Sequence, residues 1–278
     1  MTDGADAGTK PGLGIYLYGI VPAGFALATR APGVDPSHSP FAIEHAGLTA
    51  IVSEVSLDEF GDEALKANLE QLEWLEACAR THEGVLEGAL EVTTVLPARL
   101  ATIYTNEDHV RRLLEREHDV LAAQLEDLRN TREWGVKGFV DEETLLRWLE
   151  ASDDELRRLR NLPGPTTEGA AYLARKRYDL LARERAGDVK ARCADTIHSA
   201  LARHAERAER KPRTGGAPMP DGAEPLLNGA YLVGREEETR FLSAFRELAD
   251  RHGALGVRLD VTGPWPAYSF VTAVGRSQ

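Results

Sequence analysis

The chain has 278 residues, 42% of them hydrophobic, which is enough for one large or two ordinary domains with buried cores. Its 45 acidic and 33 basic residues give a formal net charge of −12, which disfavours a general nucleic-acid or anionic-membrane surface. Only two cysteines occur, so no disulfide framework is expected and a reducing cytoplasm fits. No apolar run approaches the roughly 20 residues that a membrane-spanning helix needs.

Strand and helix patterns alternate along the first half of the chain. Residues 1–12 are small, polar and acidic, which predicts a flexible tail and not a secretory signal. Ser56 and Glu59 form a capping-box pattern for a helix that we expect to end near Gly84. The other predicted elements are strands at Leu13 to Val21, Leu48 to Val55 and Val92 to Leu96, and a helix starting at Thr105 to Asp108. These patterns predict an N-terminal α+β domain over 13–132.

A long helix dominates the second half. Ser152 and Glu155 form a second capping-box pattern for a short helix before it. From about Glu168 to Glu209 there is no proline and only one internal glycine, with an incomplete apolar stripe among many alanines. A helix of this length cannot bury itself against a small sheet. We therefore predict that it projects or forms a helical hairpin with Asp141 to Arg160.

The C-terminal pattern predicts a ferredoxin-like unit. Strands are predicted at Trp134 to Val140, Gly229 to Val233, Val257 to Val261 and Tyr268 to Val271, with a helix ending at Gly253. The last two strands are joined by the stiff corner Pro264-Trp265-Pro266. The predicted fold class is therefore α+β with two domains, the second a modified ferredoxin-like domain over 133–278. It carries a helical insertion at 141–210 and a flexible loop at 211–226.

No pattern of residues predicts catalysis, a cofactor or a metal. Gly12-Leu13-Gly14 precedes a strand, so it cannot place phosphates at a helix N-terminus, and the sequence contains no Gly-Lys-Ser/Thr loop. The eight histidines are scattered, and no pair has the spacing of a His-Glu-x-x-His site. Asp195 and His198 are three residues apart, but without a placed nucleophile they predict only a surface pair. We expect a protein that is not an enzyme.

Charge is unevenly distributed. The segment from Glu54 to Glu91 contains eleven acidic residues and only two basic ones, Lys66 and Arg80. From Arg157 to Arg213, by contrast, Arg and Lys dominate. The default interpretation is a set of solvated helix faces. The alternative is a pair of complementary patches for self-association or for a charged partner.

One distinctive block of sequence is Val261-Thr262-Gly263-Pro264-Trp265-Pro266-Ala267-Tyr268-Ser269-Phe270-Val271. It looks like the C-terminal signature of the gas vesicle protein F/L family, the minor accessory proteins of gas vesicles. Further blocks match in the same order at Ile15 to Val21, Ala50 to Val55, Val95 to Thr102, Trp134 to Lys137 and Asn228 to Val233. The resemblance spans nearly the whole chain. It departs at Arg99-Leu100-Ala101-Thr102, where the family's pattern implies a more aromatic and glycine-containing continuation.

The resemblance implies a non-enzymatic accessory protein that binds the small hydrophobic shell protein of the GvpA type. Other gas vesicle accessory proteins are further expected partners, and nucleic acid and membrane are not. Such a protein would assist nucleation or assembly of the vesicle in the cytoplasm, with or without being retained as a minor component. Two alternatives remain open: a small-ligand-binding or enzymatic ferredoxin-like protein, and a purely structural module of the finished shell.

Five residues are candidates for partner binding: Arg99, Tyr178, Leu181, Arg185 and Trp265. For Trp265 the favoured interpretation is an aromatic plug over the local core, and the alternative is a partner-facing anchor. For Arg99 an internal salt bridge to the acidic helix is favoured over an acidic group of a partner. The other three lie on the long helix, whose exposed length favours a partner.

Overall fold

The computed structural model describes residues 12–27, 32–161, 167–212, 223–272 and 274. The chain divides into two compact units. Unit 1 comprises Met1–Arg132 and Pro264–Gln278, and unit 2 comprises Glu133–Gly263. Each unit contains one sheet with helices against it, so the α+β class predicted from the sequence is confirmed.

Unit 1 is built on a sheet whose central strand is buried on both faces. The strands are β1 (Leu13–Pro22), β2 (Phe41–His45), β3 (Leu48–Ser56), β4 (Leu96–Pro97) and β5 (Ile103–Tyr104). They lie in the order β2-β3-β1-β4, and β5 also pairs with β1. A Cβ at Gly19 would lie 2.7 Å from the Leu96 carbonyl oxygen, so only glycine permits the approach of β4. Strands β1 and β3 occupy the positions that the sequence predicts, whereas β4 is shorter and later than predicted.

Strand β2 was not predicted from the sequence. It forms an antiparallel hairpin with β3 through Ala46 and Gly47, which have φ of 51° and 79°. Two consecutive positive φ values are typical of the tight turns that match strand twist. An Ala-Gly turn lacks the usual Asn-Gly or Asp-Gly signal, which explains why the sequence pattern does not reveal it.

The acidic part of unit 1 folds into three helices and not one. They are α1 (Leu57–Phe60), α2 (Asp62–Leu69) and α3 (Leu72–Leu90). Ser56 caps α1, as predicted, by accepting a hydrogen bond from the Asp58 N–H. The predicted end near Gly84 is wrong, because Gly84 and Gly88 lie on the exposed face of α3 while its opposite face is buried through Leu90. Helices α4 (Glu107–Arg116) and α5 (His118–Asp127) follow, and Asn106 caps α4.

Unit 2 contains a second sheet and the longest helix. Its elements are β6 (Thr131–Asp141), α6 (Glu142–Ser152), α7 (Asp154–Arg160), α8 (Glu168–Ala202), β7 (Arg207–Arg210), β8 (Ala223–Gly234), α9 (Glu238–Gly253) and β9 (Val257–Trp265). The strands lie in the order β7-β8-β6-β9. The predicted second capping box is wrong, because Asp153 caps α7 with bonds from the Glu155 and Leu156 N–H groups. Ser152 instead bonds back to the Trp148 carbonyl.

Helix α8 ends seven residues before the predicted Glu209. Residues Arg207–Arg210 form β7, which pairs antiparallel with Gly229 to Leu232 of β8. This pairing joins segments far apart in sequence, so helix periodicity could not reveal it. Of the predicted flexible loop at 211–226, residues 213–222 lie outside the described part of the chain, and Ala223 already begins β8.

The C-terminal end differs from its prediction in two ways. Strand β9 continues through Pro264 to Trp265, and proline is tolerated there because β9 is an edge strand. The predicted strand at Tyr268 to Val271 is absent; this stretch forms turns, with the Phe270 N–H donating to the Ala267 carbonyl. Residues from Pro264 onward group with unit 1 and not with the expected 133–278 domain, since Tyr268 donates to Glu83 and Ala98 bridges Val274.

Candidate partner-binding surface

The predicted site residues on α8 lie on the face of the helix that packs against its own unit. The Tyr178 hydroxyl donates to the Glu150 carboxylate of α6, and the Arg185 Nε atom lies 3.1 Å from a carboxylate oxygen of Asp153. Leu181 packs against the apolar core of unit 2. Burial, together with the Glu150 carboxylate, raises the pKa of Tyr178 to about 12. Tyr178 and Arg185 therefore join α8 to the α6–α7 segment. The role of all three side chains in partner binding stays a prediction.

The opposite face of α8 carries exposed apolar side chains, which we call the outer stripe: Tyr172, Leu173 and Leu180. Their exposed fractions are 64%, 65% and 70%. At about 100° per residue Leu173 and Leu180 lie within about 20° of each other around the helix axis, and Tyr178 lies about 140° from Leu173. From Thr167 to Leu180 only Ala174 and Tyr178 are even half-buried. This face could not be identified from the sequence, because an incomplete apolar stripe does not show which side of a helix packs.

The C-terminal part of α8 makes most of this helix's contribution to the core. Its buried residues begin at Ala182 and include Val189, Cys193, Ile197 and Leu201. The helix therefore has a packed C-terminal half, which fixes its orientation in unit 2, and an N-terminal half that is solvated on most sides.

The other two candidates are placed differently. Arg99 is exposed, and within the described part of the chain its guanidinium has no ion-pair partner, so the favoured internal salt bridge is not seen there. Trp265 is half-buried at the end of β9. Neither placement tests a contact with a partner, and both remain predictions.

A polar cluster lies inside the core of unit 1. The Tyr16 hydroxyl accepts a hydrogen bond from the Ala101 N–H at 3.1 Å and lies within hydrogen-bond distance, 2.9 Å, of Nδ1 of His82. Burial lowers the pKa of His82 to about 4 and raises the pKa of Cys78 to about 11. Burial also raises the pKa of Tyr16. All these groups are neutral near pH 7, so the cluster offers no charged nucleophile.

Unit 2 contains a comparable buried pair. Sγ of Cys193 lies 3.8 Å from Nδ1 of His252. Burial raises the pKa of this thiol and lowers the pKa of this imidazole, so both are neutral. Within the residues that the structure describes, no group of three or more His, Cys, Asp and Glu side chains could hold a metal ion. A search of the same residues finds no helix long and apolar enough to span a bilayer.

Fold and surface together define an α+β protein of two sheet-and-helix units that presents an apolar helix face. The profile of the gas vesicle synthesis protein GvpL/GvpF family matches residues 14–272. The chain therefore belongs to this family, and the resemblance found in its sequence is confirmed.

Individual relatives agree with the family assignment. The chain is 34% identical over 263 residues to gas vesicle protein L of Streptomyces sp. (strain CB03234), covering 92% of this chain and 91% of that protein. It is 28% identical over 262 residues to gas vesicle protein F of the same strain, covering 92% and 98%. The crystal structure of GvpF from Anabaena sp. PCC7120 is similar in fold, with a TM-score of 0.69 and 22% identity over 93% of this chain and 98% of that one.

Proposed function

We propose that this protein is a gas vesicle accessory protein that binds the hydrophobic shell protein and assists nucleation or assembly of the vesicle. Family membership supports the accessory role. The observation that carries the binding proposal is the outer stripe of α8, where three large apolar side chains are about two-thirds exposed.

The shell protein has apolar surface to be covered, and α8 presents apolar side chains that can cover it. A shell subunit must expose apolar surface before it assembles, and such surface aggregates unless it is covered. An amphipathic helix can cover an apolar groove through residues spaced by three, four or seven, which is the spacing of Leu173 and Leu180. The net charge of −12 favours a complex that stays dispersed.

We also propose a fold for unit 2 and a cellular location for the interaction. The element order of unit 2, with strands in the order β7-β8-β6-β9, supports a modified ferredoxin-like unit in which α6–α8 form the helical insertion. The N-terminal half of α8, which is solvated on most sides, supports the projecting part of that insertion. We place the interaction in the cytoplasm, which suits two buried free cysteines, and expect other accessory proteins as further partners.

Co-purification with the shell protein tests the proposal. The variant Leu173→Ser/Leu180→Ser should lower capture of the shell protein by about tenfold or more, because each leucine loses apolar contact. Val120→Ser is the matched control, since Val120 is 55% exposed on α5 and should leave capture unchanged. Point substitutions are preferable to deleting the helix, which would also remove the buried Ile197 and Leu201. If the double variant folds and still captures the shell protein as well as the wild type does, the outer stripe is not the binding surface.

Whether the protein stays in the finished vesicle is a separate question. Vesicles purified by flotation and probed for this chain answer it. A constant amount per vesicle after repeated flotation indicates a retained minor component, and its loss indicates a role confined to assembly.

A further inference from the structure

We propose that a second copy of this chain covers the outer face of α8 in an antiparallel contact with two-fold symmetry, centred on Leu180. The contact joins two helices of the same sequence. It goes beyond the proposed function, because it involves only this protein.

The charges beside the outer stripe are self-complementary. Lys176, Asp179, Arg183 and Glu184 are all exposed, and none of them forms an ion pair within the described part of the chain. When two such helices run antiparallel about Leu180, position 180+n of one copy faces position 180−n of the other. Glu184 of one copy then faces Lys176 of the second copy, and this pairing occurs twice.

The second set of charges follows the same symmetry. Arg183 lies on the same side of the helix as Asp179 of the second copy, about 3 Å away along the axis at 1.5 Å per residue. A parallel arrangement would place each charge beside its own equivalent, which is repulsive. The Lys176–Glu184 and Arg183–Asp179 pairs therefore favour the antiparallel arrangement, and they are offset in part because Arg183 also lies beside Lys176 of the second copy.

Shape supports the same register. Leu180 meets its own equivalent at the two-fold axis, and Leu173 faces Gly187 of the second copy. A Cβ at Gly187 would have no heavy atom within 4 Å, so this position is open to a neighbouring side chain. Two-fold contacts in which the same patch is used by both copies are the commonest kind in homo-oligomers.

The contact is small. Its apolar part consists of Tyr172, Leu173 and Leu180 from each copy, which is less than the roughly 800 Å² per partner of a standard interface. We therefore expect a weak dimer that forms with rising protein concentration and that dissociates as salt rises. Raising the ionic strength from about 0.1 M to about 1 M shortens the Debye length from about 10 Å to about 3 Å.

Charge reversal on the purified full-length chain tests the proposal. Lys176→Glu alone and Glu184→Lys alone should each weaken dimerisation about tenfold or more in sedimentation velocity, because each places two like-charged pairs in the contact. An equimolar mixture of the two variants should restore a dimer, and so should the double variant Lys176→Glu/Glu184→Lys. Arg246→Glu and Glu247→Lys, which reverse exposed charges on α9, are matched controls and should leave dimerisation unchanged.

Cysteine crosslinking tests the direction of the helices. Under a mild oxidant, Leu180→Cys should form a disulfide between copies, since position 180 lies at the axis. Leu173→Cys should not, because the two equivalent positions are 14 residues apart along the antiparallel pair, or about 21 Å. A chain that is monomeric at all concentrations, failure of the double variant to restore the dimer, or crosslinking at position 173 overturns the proposal.

Discussion

Ala101 adopts a backbone conformation that favours glycine. Its φ is 61°, one of three positive values among the described non-glycine residues, and its N–H donates to the buried Tyr16 hydroxyl. It lies in the stretch where the sequence departs from the glycine-containing pattern that the family resemblance implies. The departure therefore has a physical cost, because an L-residue in the left-handed region is strained by about 1–2 kcal/mol.

We predict that Ala101→Gly raises the free energy of unfolding by about 1 kcal/mol. Relief of backbone strain outweighs the larger conformational entropy that glycine has in the unfolded chain. Urea unfolding followed by tryptophan fluorescence measures the change. The same substitution at the exposed helical Ala123 is the control and should lower the free energy by about 0.5–1 kcal/mol. Equal effects at both positions would rule out relief of strain.

His82 should make unit 1 sensitive to acid. Its pKa is lowered to about 4 by burial, from an ordinary value of 6.5. Between these two pH values the unfolded chain binds a proton that the folded chain does not. The free energy of unfolding should therefore fall as pH decreases from 6.5 to 4, by about 3 kcal/mol in total.

The variant His82→Gln should show a flatter dependence of stability on pH over the same window, starting from a lower value at pH 7. The difference between wild-type and variant curves isolates His82, because burial also lowers the pKa values of His198 and His252 and these contribute to both curves. Parallel curves would show that His82 does not carry the effect.

The segment formed by α6, α7 and α8 is joined by side chains on one face of α8. Tyr178→Phe removes a hydroxyl that donates to Glu150, so we predict a loss of about 1–2 kcal/mol in the free energy of unfolding. Tyr172→Phe is the matched control: Tyr172 is 64% exposed on the outer stripe, and its change should be within about 0.5 kcal/mol. Thermal unfolding of the two variants distinguishes them. A smaller loss for Tyr178→Phe than for Tyr172→Phe would contradict the assigned faces.

Elements that carry a complete local signal could be predicted. β1 and β3 are apolar runs bounded by turn residues, and α9 has a regular apolar stripe that ends at Gly253. Elements defined by a distant partner could not. Residues 207–210 read Arg-Ala-Glu-Arg, which favours a helix locally, but pairing with β8 makes them a strand.

If the outer stripe serves both proposed contacts, the two partners must compete. We predict that shell protein converts the dimer of this chain into a one-to-one complex as its concentration rises, since both contacts cover Leu173 and Leu180. Multi-angle light scattering during size-exclusion chromatography measures the masses. A complex that retains the dimer of this chain would show that the two contacts use different surfaces.

Family and fold class follow from sequence alone, because motif order and the alternation of strand and helix patterns are local properties that need no knowledge of packing. The long helix begins at the predicted Glu168 for the same reason, since Thr167 caps it locally. Which face of that helix is free was decided only by tertiary structure. Periodicity gives the angles between Tyr178, Leu181 and Leu180, but not which of them meets α6 and α7. Contacts with Glu150 and Asp153, more than twenty residues away in the sequence, determine which face of α8 packs. The exposed apolar surface is therefore on the opposite side of the helix.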